Sequence, residues 1–190
     1  MHPSNPHQGQ YDFTKLCQIT PALNDFTKRS PKGNITIDFS NDEAVKKLNE
    51  ALLGLYYGVS SWDIPKNYLC PGVPGRADYI YHLNDLLGNP NSAKILDIGT
   101  GANAIYPIVG MSAFGWDFVA TEIDELALSF AKKNCDDFGR KIEFRLQKVP
   151  SSIFAGVTVR GMRLMPLFVI HHFTGRRMRL FRVLKEKIQA

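Results

Sequence analysis

Leu96-Asp97-Ile98-Gly99-Thr100-Gly101-Ala102-Asn103 is the stretch whose reading decides the fold. It joins an apolar run, Ala93-Lys94-Ile95-Leu96-Asp97-Ile98, to a helical segment, Ala104 to Val109. A short apolar run ended by glycines reads as a buried strand turning into a helix. Downstream, Trp116 to Thr121 reads as a second strand, ending at Glu122-Ile123-Asp124. Leu126 to Phe138 is built of good helix formers. Lys141-Ile142-Glu143-Phe144-Arg145-Leu146 alternates as a third strand. This β-α-β-α-β series is half of a doubly wound sheet, so the chain is predicted to be α/β and Rossmann-like.

The residues before it are different. Residues 1–40 are polar and turn-rich, broken by Pro3, Pro6, Gly9, Pro21, Pro31 and Gly33. Asp42 precedes a helical pattern of Ala44-Val45, Leu48, Leu52-Leu53 and Leu55-Tyr56. Ser60 to Gly75 reads as a loop carrying Pro65, Pro71 and Pro74. Arg76 to Leu87 reads as a second helix, stopped by Gly88-Asn89-Pro90. No internal repeat or low-complexity tract is present.

Glycines at a strand-to-helix turn let the backbone approach a ligand, and a helix N-terminus presents free N–H groups. Gly99, Gly101 and Ala104 satisfy the dinucleotide spacing G-x-G-x-x-G/A. Glu122, about 20 residues on, suits a ribose hydroxyl. The glycines alone do not choose between a nicotinamide cofactor and S-adenosylmethionine. Asp97 favours the second: it lies at the strand end, where a pyrophosphate would be repelled and an ammonium attracted. The alternative is a plain strand–turn–helix with a solvated Asp97.

The chain has 190 residues, 44% hydrophobic and 22% charged, enough for one domain with a small appendage. No apolar run is long enough to span a bilayer, and Met1-His2-Pro3-Ser4-Asn5-Pro6-His7 has no signal core. Cys17, Cys70 and Cys135 are odd in number and widely spaced. They read as reduced thiols of a cytoplasmic protein, with no zinc or redox pair. His171-His172 has no third ligand at metal spacing. The formal charge is +5, which points to an acidic partner such as nucleic acid. Its distribution is uneven. Residues 1–159 carry 15 Lys+Arg and 17 Asp+Glu, whereas residues 160–190 carry 8 Lys+Arg and the single acid Glu186.

Several further motifs stand beside the glycine turn. They are Met1-His2-Pro3 with Asn5 and His7-Gln8-Gly9, Tyr11-Asp12-Phe13, Trp62-Asp63-Ile64-Pro65 and Pro74-Gly75-Arg76-Ala77-Asp78-Tyr79-Ile80. Leu96 to Pro107 and Ala120-Thr121-Glu122-Ile123-Asp124 complete the set. Together they resemble the bacterial large-subunit ribosomal RNA adenine-N6 methyltransferase F family, from residue 1 to about residue 157. The resemblance implies a class I, Rossmann-like methyltransferase that moves a methyl group from S-adenosylmethionine to N6 of one adenine in 23S rRNA. It implies that Arg76 holds the cofactor's carboxylate. Asp97, Gly99, Thr100 and Gly101 would form the cofactor loop, and Glu122 would take the ribose, with Asp124 beside it. Residues 1–75 would be an appended RNA-binding part that uses Lys28, Arg29 and Lys32. From the residues alone, Arg76 reads equally as a helix-surface pair, Lys28-Arg29 as a solvated loop, and His2 and His7 as parts of a disordered end.

The sequence departs from the family at one place. The family's fourth strand ends in Asn-Pro-Pro-Phe, which accepts hydrogen bonds from the adenine amino group and stacks on the flipped base. This chain reads Phe168-Val169-Ile170-His171-His172-Phe173-Thr174 instead, so no catalytic residue is assigned. Joining the third base of each codon to the first two of the next permits Cys-Asn-Pro-Pro-Phe-His across these residues. The same shift upstream permits Phe-Asp-Ala-Thr-Leu. A frameshift between about Thr158 and Met162 is therefore expected, with 76–158 the first half of the methyltransferase domain and 159–190 an aberrant basic tail. The expected function is an S-adenosylmethionine-dependent 23S rRNA methyltransferase of impaired turnover, acting without a metal. The alternatives are a non-catalytic S-adenosylmethionine- or RNA-binding module that uses the tail, and a nicotinamide dehydrogenase.

Overall fold

A computed structural model of the chain describes residues 1–148. The basic tail and the heptapeptide Phe168 to Thr174 lie outside the described residues. The chain opens with a short helix α1 (Phe13–Ile19), then a 3-10 segment (Pro21–Phe26). A hairpin follows, β1 (Thr27–Arg29) antiparallel to β2 (Ile35–Ile37), with Lys28 opposite Thr36. Two long helices come next, α2 (Asp42–Tyr57) and α3 (Val73–Leu86). The remainder alternates: β3 (Lys94–Ile98), α4 (Ile105–Phe114), β4 (Asp117–Glu122), α5 (Glu125–Asn134) and β5 (Ile142–Leu146). Among the described residues the second sheet is parallel, ordered β3-β4-β5, with Asp97 beside Ala120 and Ala120 beside Phe144. The α/β, Rossmann-like expectation holds.

Local chemistry sets the ends of the elements. The Asn41 carboxamide accepts from the Glu43 and Ala44 amides to start α2, which ends at Gly58 with φ 71°. Asp42 and Glu43 put negative charge at the positive end of the helix dipole. Phe114 stacks on Trp116 with ring centroids 5.1 Å apart, and Trp116 tilts against Phe118 at 6.5 Å. Such pairs add about 0.5–1.5 kcal/mol each beyond burial. They clamp the end of α4 to the start of β4.

The N-terminal forty residues are more structured than their composition suggests. Phe13, Leu16, Leu23 and Ile37 are buried there, too few to give a sustained periodic signal. His2 and His7 do not belong to a loose end. The His2 ring contacts Asp85 at 2.9 Å, and Asn5 Nδ2 donates to the Pro74 carbonyl (3.2 Å) and to Asp78 (3.1 Å). His7 is buried against the Tyr57 hydroxyl, 2.9 Å away. Burial holds its pKa down at about 4, so it stays neutral. The stretch read as one helix over Leu126 to Phe138 ends instead at Asn134 and continues as a 3-10 segment (Asp136–Lys141). The boundary expected at 75/76 falls inside α3, and buried side chains on both sides of it form one core.

Candidate functional site

Gly99 and Gly101 adopt φ of 77° and 65°, a region closed to most side chains, and so fold the chain sharply from β3 towards α4. The turn is then pinned to β4. The Gly99 and Thr100 amides both donate to the Thr121 carbonyl at 2.9 Å. The Gly101 amide donates to Glu122 Oε2 at 2.9 Å, while Glu122 Oε1 accepts from the Ile123 (2.7 Å) and Asp124 (3.2 Å) amides. The Ile105 amide is taken by Asn103 Oδ1. The amides expected to be free for a ligand are thus largely spent within the protein, and a carboxylate occupies the position on Gly101 that a phosphate would need.

Above this turn opens a cavity of about 420 Å³. Arg76 of α3, Gly99, Thr100 and Gly101 of the turn, and Glu122 and Asp124 of β4 and its end all line it. Asp97 lies just behind the turn, only 3% exposed. Its Oδ2 makes no hydrogen bond among the described residues. Burial pushes its pKa up to about 6; Glu122 adds to the shift and the Thr100 side chain opposes it. A buried carboxylate without a full set of partners is costly, and a cation brought to it relieves that cost. Tyr106, also lining the cavity, is held edge-on to Tyr79 at 5.5 Å.

Asp124 is engaged on both oxygens. Oδ1 accepts from the Leu126 and Ala127 amides and so caps α5, and Oδ2 accepts from the Tyr68 hydroxyl at 2.6 Å. Tyr68 and its neighbours Asn67 and Leu69 form a cavity wall that the sequence left as plain loop. Trp62 of the preceding loop and Asn134 at the end of α5 clasp the turn. Trp62 Nε1 donates to the Asn103 carbonyl (2.9 Å), and Asn134 Nδ2 donates to the carbonyls of Ala102 (2.9 Å) and Asp63 (2.8 Å).

Lys28, Arg29 and Lys32 are not part of the cavity. They sit exposed on the β1–β2 hairpin and its turn, with Lys28 paired to Asp38 at 3.3 Å and Arg29 bonded to the Gly33 carbonyl. Among the described residues no group of His, Cys, Asp and Glu is placed to hold a metal, and no helix is long and apolar enough to cross a membrane.

A family model described as RNA methyltransferase matches residues 1–164. The chain belongs to this family of RNA methyltransferases. It is 48% identical over 165 residues to "Ribosomal RNA large subunit methyltransferase F" of Salmonella paratyphi B, covering 83% of this chain and 54% of that protein. The chain therefore spans about half the length of the curated relatives it matches. Among solved structures, the N-terminal domain of human METTL16 in complex with SAH superposes with a TM-score of 0.80 at 28% identity, covering 100% of this chain and 78% of that one. The human METTL16 catalytic domain in complex with a MAT2A 3′UTR hairpin superposes with a TM-score of 0.70 at 35% identity, covering 77% of this chain and 53% of the other.

Proposed function

We propose that this chain is the cofactor-binding portion of an S-adenosylmethionine-dependent methyltransferase acting on N6 of an adenine in 23S rRNA, in the cytoplasm. The observation that carries the reading is Asp97: a buried, under-bonded carboxylate behind a turn whose Gly99, Thr100 and Gly101 amides are already bonded within the protein. Such a site suits an ammonium and rejects a pyrophosphate. Arg76, which lines the cavity, would hold the carboxylate of the same amino-acid end, and Glu122 the ribose hydroxyls. A cavity of about 420 Å³ is of the size such a ligand needs. The relative solved with SAH and the name of the Salmonella relative support cofactor and substrate class.

S-adenosylmethionine supplies the methyl group; this chain's residues bind and orient it. Asp97 and Arg76 would fix one end and Glu122 the other. Lys28, Arg29 and Lys32 would contact RNA phosphates. As the chain reads, the groups that position the adenine are missing. Restoring the shifted frame after about Thr158 would return them. The family match, which stops at residue 164, supports a change of character close to that interval.

Calorimetry tests the first half of this proposal. The chain is expected to bind S-adenosylmethionine and S-adenosylhomocysteine and to ignore NAD; NAD binding alone would overturn the reading. Mass spectrometry of 23S rRNA tests the second half. The frame-restored protein is expected to add one N6-methyladenine and the present chain little or none. An unmethylated product from the restored protein refutes the substrate. An unshifted gene sequence between Ile153 and His172 refutes the frameshift.

A further inference from the structure

Tyr68 joins two walls of the cavity that are far apart in sequence. One wall is the loop before α3 and the other is the start of α5. Pro65 opens a turn that the Tyr68 amide closes onto the Pro65 carbonyl (3.2 Å). Asn67 sits in that turn at φ 68°, which Asn tolerates better than most side chains. Tyr68 then reaches Asp124 across the cavity's edge, 56 residues away. The bond draws the Asp124 pKa below the usual carboxylate range and raises that of Tyr68, as a hydroxyl donating to an ionised carboxylate does. Asp124 cannot turn away from this contact, because its other oxygen caps α5.

We propose that the Tyr68–Asp124 hydrogen bond is a latch that holds the 66–70 loop over the nucleoside end of the cofactor cavity, making Tyr68 a positioning residue for cofactor retention. The inference rests on the reading of the cavity as an S-adenosylmethionine site. The nucleoside end is assigned from Glu122, read above as the ribose acid, which accepts from the Asp124 amide and lies two residues from it. Arg76 and Asp97 serve the other end. Loop 66–70 therefore acts on the part of the ligand that S-adenosylmethionine, S-adenosylhomocysteine and methylthioadenosine have in common.

The test uses the full chain and three variants: Tyr68→Phe, Asp124→Asn and the double variant. Asn retains the side-chain oxygen that caps α5, and Phe retains the ring. Calorimetry and stopped-flow binding are run with S-adenosylhomocysteine and with methylthioadenosine, which lacks the amino-acid end. Tyr68→Phe is expected to weaken both ligands by the same factor, about tenfold, as loss of one charge-assisted hydrogen bond would. The loss should appear in the dissociation rate. Adding Tyr68→Phe to Asp124→Asn should cost little more than Asp124→Asn alone. Arg76→Ala provides the contrast: it should weaken S-adenosylhomocysteine and leave methylthioadenosine unchanged. If the unaltered chain binds neither ligand, the reading of the cavity fails. If it binds both and Tyr68→Phe binds them equally well, or if the two substitutions simply add, the latch is refuted. A Tyr68→Phe loss confined to S-adenosylhomocysteine would also refute it, by putting Tyr68 at the amino-acid end.

Discussion

Replacing Asp97 by Asn should move stability and binding in opposite directions. The folded chain holds this carboxyl at about 6, against an ordinary 3.8. Its folded-state pKa is raised, so the folded form keeps the proton longer than the unfolded form. Stability from this group is therefore greatest below about pH 4 and falls as pH rises towards 6. The difference corresponds to about 3 kcal/mol at neutral pH. Asn removes that ionisation cost but leaves an amide with imperfect partners, returning about 1–2 kcal/mol of it. The net is a gain of about 1–2 kcal/mol at pH 7.5, or about 3–6 °C in melting temperature for a chain of this size. Binding should suffer, because a charge-assisted bond to an ammonium is lost, at about 1.5–3 kcal/mol or roughly 10–150-fold in Kd. Thermal unfolding by circular dichroism and calorimetry with S-adenosylhomocysteine read the two effects. The difference in stability between variant and parent should grow from pH 4 to pH 6 and then level. A variant that is less stable at every pH, or that binds as well as the parent, refutes the role given to Asp97.

Further substitutions probe other parts of the molecule. His7 has the opposite sign to Asp97: its folded-state pKa is depressed to about 4, so the stability it contributes is lost as pH falls from 6.5 through 4. His7→Gln should flatten the melting curve's pH dependence in that window. Gly110→Ala would bring a Cβ to 2.6 Å from the Phe118 ring, an overpacking that should cost about 1–3 kcal/mol in urea unfolding. Changing Lys28, Arg29 and Lys32 together to Gln should weaken RNA binding across sequences and lower its salt slope by about 2–3, measured by filter binding from 50 to 200 mM salt. An unchanged slope would remove the hairpin from the RNA contact.

The sheet and the glycine turn were legible because their signals are local. The apolar run ending at Ile98, the two glycines and the acid at Glu122 each require their neighbours in sequence and little else. The β5 strand was legible in the same way, from the alternation of Lys141 to Leu146. What stayed hidden depends on distant partners. Nothing near Tyr68 announces Asp124, and nothing near His7 announces Tyr57. The hairpin strands have three residues each, too short for a period to emerge. The end of α5 was misread because Asn134 turns its carboxamide to Asp63 and Ala102, a use that helix propensity does not anticipate. Asp97 lies between the two cases: its place was clear from sequence, but the degree of its burial was not.

The clasp on the turn also gives this chain a built-in optical reporter. It has two tryptophans, and both indoles are shielded from water, at 2% and 0% exposed for Trp62 and Trp116. Trp62 is bonded through Nε1 to Asn103, which itself lines the cavity. Trp116 lies instead among Phe114 and Phe118. Ligand entry at the turn should therefore perturb the emission of one indole and leave the other as an internal standard, and Trp62→Phe should silence the response. Occupancy of the site can then be followed by fluorescence on the unlabelled protein, without a turnover assay.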